Sequence, residues 1–300
     1  MHLPKSNSKF IGQGLTGTEG STSLAHMLGY GTKIVAGVTP GKGGQEVQGV
    51  PIFNTVKEAL KKVGKVDGTV QFVPPLFTKG AVVEAIDAGI KFILIGAEKV
   101  PTRDAAEMFA LAKKKRVTII GPSSVGIISP KNKIKLGQIG GGTPERVFVK
   151  GNIGVISKSG GMTSELGLIL KNNGMGVSWA VGIGGDRIIC TDFTDFLMEL
   201  EQDKDTKASV VFGELGGKYE EKIAEYVRKG KIKKPVVAFI AGEFTNKLPS
   251  DVQFGHAGAI IEGKRGLPSE KRKILKEAGI LVAENFDEIP VLLRKILSSS

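Results

Sequence analysis

His256 lies in the stretch Val252-Gln253-Phe254-Gly255-His256-Ala257-Gly258-Ala259, between glycines and ahead of Ile260-Ile261. An imidazole titrates near neutral pH, so it can accept and release a proton or a phosphoryl group there. Flanking glycines let the backbone take unusual angles, approach a ligand closely and move. The other two histidines have plainer settings: His2 in the N-terminal arm and His26 in a stretch that reads as helix. Alone, a Gly-His-Ala-Gly segment fits a histidine stacked in a tight turn before a helix equally well. The rest of the chain decides between the two readings.

Three glycine-rich segments follow apolar runs and could hold anions. Lys9-Phe10-Ile11-Gly12-Gln13-Gly14 reads as a strand, followed by Leu15-Thr16-Gly17-Thr18-Glu19-Gly20 and a helical pattern through Met27-Leu28. Gly12-x-Gly14-x-x-Gly17 in that setting is a phosphate cradle, with backbone N–H groups at a helix start. Its plain alternative is a turn that packs a helix closely on a strand. Ser157-Lys158-Ser159-Gly160-Gly161-Met162-Thr163-Ser164-Glu165 sets hydroxyls and glycines at a second helix start, where capping and anion binding are compatible. Gly182-Ile183-Gly184-Gly185-Asp186-Arg187 carries a carboxylate and a guanidinium. Arg187 there could grip a carboxylate bidentately or serve a surface or subunit salt bridge. Glu214, in Gly213-Glu214-Leu215-Gly216-Gly217, could orient an imidazole and stabilise its charged form, or be a solvated loop residue. There is no Ser-His-Asp order, and Cys190 has no matching histidine. Several anion cradles with one mobile histidine fit phosphoryl transfer through a phosphohistidine better than acyl or hydride chemistry.

These groups must be positioned by a regular scaffold, and the apolar pattern supplies one. Strands are expected at Lys33-Ile34-Val35-Ala36-Gly37-Val38, Thr69-Val70-Gln71-Phe72-Val73, Lys91-Phe92-Ile93-Leu94-Ile95-Gly96 and Val117-Thr118-Ile119-Ile120. Helices are expected over residues 79–88 and 102–115 between them. Short apolar runs alternating with amphipathic stretches predict an α/β fold with a parallel, doubly wound sheet. Ligands then collect at the carboxyl ends of strands, where the glycine-rich turn, Lys42, Pro74, Glu98 and Ser123 fall. The second strand leads not to the acidic residue of an NAD site but to Thr39-Pro40-Gly41-Lys42, a lysine suited to a ribose phosphate, as in NADP or coenzyme A. Residues 126–146 are rich in glycine and lysine without periodicity and read as the connection to a second domain. A second strand series follows at 153–157, 177–181, 209–212, 236–240 and 280–282, with a final helix over 286–297.

Composition narrows the class. Hydrophobic residues make up 41% of 300, enough for two ordinary domains, expected at 1–130 and 131–300. One cysteine and three scattered histidines exclude an internal disulfide framework and argue against a zinc site. No apolar run approaches the ~20 residues of a membrane span, and Met1-His2-Leu3-Pro4-Lys5-Ser6-Asn7 lacks the apolar core of a signal peptide, so a cytoplasmic location is expected. The net charge of +12 calls for anionic partners. The lysines are dispersed, as in Lys113-Lys114-Lys115-Arg116 and 229–234, at expected helix ends where cations favour the dipole. Aromatics are only 6%, so stacking platforms for nucleic acid are scarce and a phosphorylated small molecule or an acidic subunit suits the charge better.

The chain resembles the alpha subunit of succinyl-CoA synthetase and the corresponding region of ATP-citrate lyase over essentially its whole length. The resemblance is carried by Gly14-x-Thr16-Gly17-x-x-Gly20, Tyr30-Gly31-Thr32-Lys33, 37–44, Phe53-Asn54-Thr55-Val56, 84–91, Gly213-Glu214-x-Gly216-Gly217 and Gly255-His256-Ala257-Gly258-Ala259. It implies a CoA-binding Rossmann-like domain, then a flavodoxin-like CoA-ligase domain. It implies that His256 is phosphorylated on a loop that swings between the CoA site and a nucleotide site. That nucleotide site, for ATP and Mg2+, belongs to a larger, ATP-grasp-containing beta-type subunit, in a heterodimer or heterotetramer. Thr16, Gly17, Thr18, Glu19, Lys42, Gly96, Ala97 and Glu98 would contact coenzyme A, with Val73 and Pro74 beside them. Glu98 would also help position the histidine or substrate, and Glu214 would bond His256. Ser123, Ser124, Ser159, Gly160, Gly161, Thr163, Ser164 and Arg187 would bind substrate or phosphate.

Departures from the synthetase pattern point to the substrate. Succinyl-CoA synthetases typically read Gly-Pro-Asn-Cys-Pro-Gly over 121–126 and Ser-Gly-Thr-Leu-Thr-Tyr-Glu over 159–165, and they carry proline in place of Arg187. Ser164 here stands for the tyrosine of that family. The chain is closer to ATP-citrate lyase at these places, and a smaller Ser164 with an added cation suits the bulkier citrate. With its end at Ser300 the sequence leaves no room for a lyase domain. It therefore looks like the small subunit of citryl-CoA synthetase, making citryl-CoA from citrate, ATP and CoA without cleaving it. The rival expectations are a divergent succinyl-CoA synthetase alpha subunit and a non-catalytic CoA-binding regulatory module.

Overall fold

Strand and helix alternate because apolar runs too short for a helix are separated by amphipathic segments long enough for one. A computed structural model describes residues 3–242, 256 and 266–298. The first sheet contains β1 (Lys9–Gln13), β2 (Lys33–Val38), β3 (Glu46–Val47), β4 (Val50–Phe53), β5 (Gly68–Gln71), β6 (Phe92–Ile95) and β7 (Thr118–Ile120). Their order is β3-β4-β2-β1-β5-β6-β7, parallel except for the β3–β4 hairpin. Without β3, this is the strand order of a doubly wound dinucleotide-type fold, with its switch point between β1 and β5. Helices α1 (Thr18–Tyr30), α2 (Val56–Val63), α3 (Pro75–Asp87) and α4 (Thr102–Lys115) connect the strands.

The second sheet contains β8 (Gly126–Ser129), β9 (Ile134–Gly137), β10 (Lys150–Ser157), β11 (Val177–Gly182), β12 (Ala208–Glu214), β13 (Val236–Ala241) and β14 (Leu281–Val282). Its order is β14-β13-β12-β10-β11-β8-β9, and the five strands from β14 to β11 are parallel. Those five follow the flavodoxin-like order, with a switch point between β10 and β12. Helices α5 (Gly160–Asn172), α6 (Phe193–Gln202), α7 (Tyr219–Arg228), α8 (Pro268–Glu277) and α9 (Glu288–Ser298) belong to this half.

Local chemistry sets the element ends. In α4, Asp104 lies in the first turn and Lys113, Lys114 and Lys115 in the last, matching the helix dipole, while Ala105, Met108 and Ala112 face the core. In α6, Asp192 and Asp195 form a reciprocal capping box, and Phe193, Phe196, Leu197 and Leu200 make the buried stripe.

Two expectations need correction, and one stretch carried none. The helix expected over 79–88 begins earlier, at Pro75, because a proline in the first turn gives up no hydrogen bond. Residues 46–63 hold β3, β4 and α2, which the apolar pattern did not separate. Residues 126–146 are not merely a connection. Their first part forms the β8–β9 hairpin, which pairs antiparallel with β11 through Ala180 opposite Ile128 and Val181 opposite Ile127. The strand partner is distant in sequence, so no local periodicity announces it.

That hairpin joins the two halves. The Lys135 N–H donates to the Thr32 hydroxyl at 2.9 Å, and that hydroxyl donates to the Lys135 carbonyl at 2.8 Å. Apolar contact runs without a break from Phe10 and Leu24 through Ile127 and Leu136 to Trp179 and Phe193. An interface of that kind ties two domains into one body.

Lys135 itself is fully buried, and its Nζ donates to the Gly137 carbonyl at 2.8 Å. Burial pushes its ammonium down to about 8 from 10.5. The native state therefore binds fewer protons than the unfolded chain between those values, and this group's contribution to stability rises with pH across that window. Replacing Lys135→Met should raise the melting temperature at pH 7 and remove this rise between pH 8 and 10.5. Melting curves of both proteins across that range check both effects.

Candidate functional site

The carboxyl ends of β6 and β11 meet, with the Lys99 N–H donating to Asp186 at 3.4 Å, and the candidate residues gather at the carboxyl ends of strands in both halves. In the first half, Gly14 holds φ +82°, and a Cβ there would lie 2.5 Å from the Phe72 carbonyl oxygen, so the turn between β1 and α1 needs glycine. Gly17 forms the N-cap of α1 with no side-chain cap, which leaves first-turn N–H groups for an anion. Thr16 reaches Thr39, its hydroxyl 3.3 Å away. A cavity of about 440 Å³ is lined by Glu19, Phe72, Val73, Pro74, Pro75, Gly96, Ala97, Glu98 and Gln138. A second, of about 380 Å³, shares Val73 and Pro74 and extends past Val38, Thr39, Pro40 and Phe77. Six of the expected cofactor contacts line the first cavity. Lys42 is exposed in the loop after β2 and lines neither one.

Gln138 was not foreseen. It arrives from the β8–β9 hairpin, and its side-chain amide donates to Glu19 at 2.7 Å. Nothing in its own neighbourhood marks it, because the hairpin's docking on α1 brings it there. Phe72, Thr39, Pro40 and Phe77 were legible only as neighbours of strand ends.

In the second half, Glu214 ends β12 and His256 meets it: Nδ1 lies 2.7 Å from Oε2. A carboxylate accepts, so Nδ1 carries the proton and Nε2 of the neutral ring keeps its lone pair for chemistry. The hydrogen bond donated to Glu214 raises the imidazole's affinity for protons, burial opposes it, and the negative charge of Glu98 adds to the rise. The ring rests on Gly185, where a Cβ would approach its Cγ and Cδ2 to 2.6 Å, so only glycine fits beneath it. His256 is described, but its neighbours Gly255, Ala257 and Gly258, and with them the loop expected to swing, lie outside the described residues.

Glu214 is held by a buried ionic cluster that no motif suggested. Glu220 is fully buried and accepts the Glu214 N–H at 3.2 Å. Lys158 approaches it at 3.2 Å, and Lys271 contacts both it and Glu221. Burial alone would raise the Glu220 carboxyl, but the two ammonium groups outweigh it and keep it ionised. Lys158 immediately precedes Ser159, the N-cap of α5, so this cation stands behind the helix start. The Ser159 side chain accepts the Met162 N–H at 3.4 Å, while Gly160 and Gly161 supply first-turn amides with no intrahelical acceptor.

The remaining expected residues separate into two groups. Ser164 is half-buried one turn into α5, and Arg187 is exposed after the Gly185 turn, with no ion pair among the described residues. By contrast, Ser124 is buried, with its hydroxyl donating to the Gly182 carbonyl at 2.6 Å and accepting the Gly126 N–H at 3.0 Å. Thr163 is buried and donates to the Ser159 carbonyl at 2.7 Å. These two hydroxyls are taken up by backbone. Ser123 holds φ +61°, and its N–H donates to the Ala97 carbonyl at 2.8 Å, which ties the loop after β7 to the loop after β6.

Comparison with known proteins agrees with this arrangement. A CoA binding domain model matches residues 5–99, and a CoA-ligase model matches 156–281. The chain is 46% identical to succinate–CoA ligase [ADP-forming] subunit alpha 2 of Archaeoglobus fulgidus, over 97% of each chain. It is 41% identical to an ADP-forming sulfoacetate–CoA ligase subunit of an Acholeplasma species, over 96% of each. ATP citrate lyase from Methanothrix soehngenii, solved with citrate and coenzyme A, superposes with a TM-score of 0.91 at 28% identity. That match covers 99% of this chain and 50% of the lyase chain. The protein is therefore a member of the acid–CoA ligase alpha-subunit family, a CoA-binding domain followed by a CoA-ligase domain.

Proposed function

We propose that this chain is the alpha-type subunit of a citrate–CoA ligase that forms citryl-CoA through a phosphohistidine and does not itself cleave it. The observation that carries the phosphohistidine is the 2.7 Å bond between His256 Nδ1 and Glu214, which leaves Nε2 as the nucleophilic atom. In this reading His256 Nε2 takes the terminal phosphoryl group of ATP, on a Mg2+–nucleotide site that belongs to a larger ATP-grasp-type subunit. The amides of Gly160 and Gly161, with Lys158 behind them, neutralise the phosphoryl charge. A citrate carboxylate then attacks the phosphorus, forming citryl phosphate and freeing His256. The CoA thiol attacks the acyl carbon, the thioester forms and phosphate leaves. Glu19, Val73, Pro74, Gly96, Ala97 and Glu98 line the cavity read as the CoA site. Thr16, Gly17 and Thr18 serve it from the helix start, and Lys42 serves it from the exposed rim.

Citrate as the acid rests on Ser164 and Arg187. A half-buried serine leaves room one turn above the Gly160 amides, and an exposed guanidinium offers a second carboxylate a bidentate partner. Similarity to an ATP citrate lyase solved with citrate supports this choice. Succinate is the second reading, favoured by the 46% identity to a succinate–CoA ligase subunit.

Hydroxylamine trapping of acyl product from the complex with the larger subunit, given ATP, Mg2+ and CoA, distinguishes them. Citrate-dependent hydroxamate without oxaloacetate is expected. Succinate-dependent product alone would discard the citrate assignment and keep the phosphohistidine, and CoA binding without product from either acid would indicate a regulatory module. His256→Asn should abolish labelling by γ-labelled ATP and lower turnover by at least about 10³-fold while CoA still binds. Glu214→Gln should lower the imidazole pKa, seen as an earlier midpoint in the proton resonance of His256, and slow phosphorylation by about 10- to 100-fold. Arg187→Pro should raise the KM for citrate by about 10-fold with an unchanged melting temperature; an unchanged KM would remove the guanidinium from substrate recognition.

A further inference from the structure

Asp186 is the group at this site that the reaction scheme leaves unused. It follows Gly185, on which the His256 ring rests, and only 9% of its surface is exposed. Its Oδ1 accepts the Lys99 N–H at 3.4 Å, and the Val100 N–H is also directed at the carboxyl. Its Oδ2 is buried without a hydrogen-bond partner among the described residues. Burial pushes this carboxyl up, and the neighbouring Glu98 charge pushes the same way, while His256 opposes both. A buried, half-satisfied carboxyl is costly and needs a reason.

The reason lies in what its amide partners belong to. Lys99 holds φ +58°, a left-handed conformation that a lysine adopts only when its surroundings impose it. The same short loop begins at the end of β6 and places Gly96, Ala97 and Glu98 on the wall of the first cavity. At its other side the Ala97 carbonyl accepts the Ser123 N–H at 2.8 Å. The loop is thus pinned twice, once by the backbone of its own half and once by a carboxyl from beneath the histidine.

We infer that Asp186 is a positioning residue, which locks the Gly96–Glu98 wall of the CoA cavity to the turn that cradles His256. Through this one side chain the site of thiol attack stays in register with the phosphorylated nitrogen. The cavity's occupant is taken from the function proposed above, whereas the lock between the loops is not.

The test compares Asp186→Ala with Asp186→Asn, which keeps an oxygen for the Lys99 N–H. Amide exchange over residues 96–100, read by mass spectrometry on the protein without ligand, should speed up at least about 10-fold in the alanine variant and stay within about 3-fold in the asparagine variant. In the complex with the larger subunit, the alanine variant should raise the KM for CoA by about 10-fold while labelling of His256 by ATP stays within about 2-fold. Asparagine should restore the KM. Unchanged exchange in the alanine variant would overturn the inference, as would histidine labelling slowed as much as thioester formation or an asparagine variant as impaired as alanine. If the wild-type complex makes no acyl-CoA, the proposed function fails while the exchange comparison still decides the role of Asp186.

Discussion

Everything around the histidine depends on one buried carboxylate. Glu220 is completely removed from water and stands between Lys158, Lys271 and the Glu214 N–H. Desolvating such charges costs several kcal/mol per ion, repaid only when each is paired and its remaining hydrogen-bonding groups are satisfied. Here the partners come from three separate places, the end of β10, the end of β12 and the first turn of α8, while Glu220 itself stands at the start of α7. Moving any one of them leaves a charge unpaired. The cluster therefore fixes the end of β12, and with it the Glu214 carboxylate that sets the tautomer of His256.

The second constraint is the meeting of two switch points. A doubly wound sheet opens a crevice where its strand order reverses, at the carboxyl ends. This chain has two such sheets on one continuous apolar core, and the Lys99–Asp186 contact joins their carboxyl ends. The candidate site residues are thus divided between halves. One half presents the cavity formed by the β5 and β6 ends, and the other presents His256, Glu214 and the start of α5. The backbone bond from the Cys190 N–H to the Gly121 carbonyl stitches the seam between them.

Substrate choice sits at a different level from this machinery. Glu214 ends β12 and the Gly160 and Gly161 amides open α5, so both belong to the scaffold itself. Ser164, half-buried, and Arg187, exposed, project from such elements. Such positions can change without disturbing the core, which is consistent with relatives named for succinate and for sulfoacetate at similar identity.

The order of elements, the two doubly wound halves and the glycine-rich strand ends were all legible in the chain, because each is written in local periodicity and turn chemistry. The contact between His256 and Glu214 was expected from their residue types and from the resemblance, and they lie 2.7 Å apart. The β8–β9 hairpin was not legible, since its hydrogen bonds are completed by β11 some fifty residues away. Gln138 reaches the cavity only because that hairpin docks on α1, and no local feature marks it. Ser124 and Thr163 carry hydroxyls that suit a ligand, yet tertiary packing gives those hydroxyls to buried carbonyls. Asp186, Lys158, Glu220 and Lys271 are ordinary charged residues in the sequence. Only folding takes them out of water together, and burial is what turns a charge into a constraint.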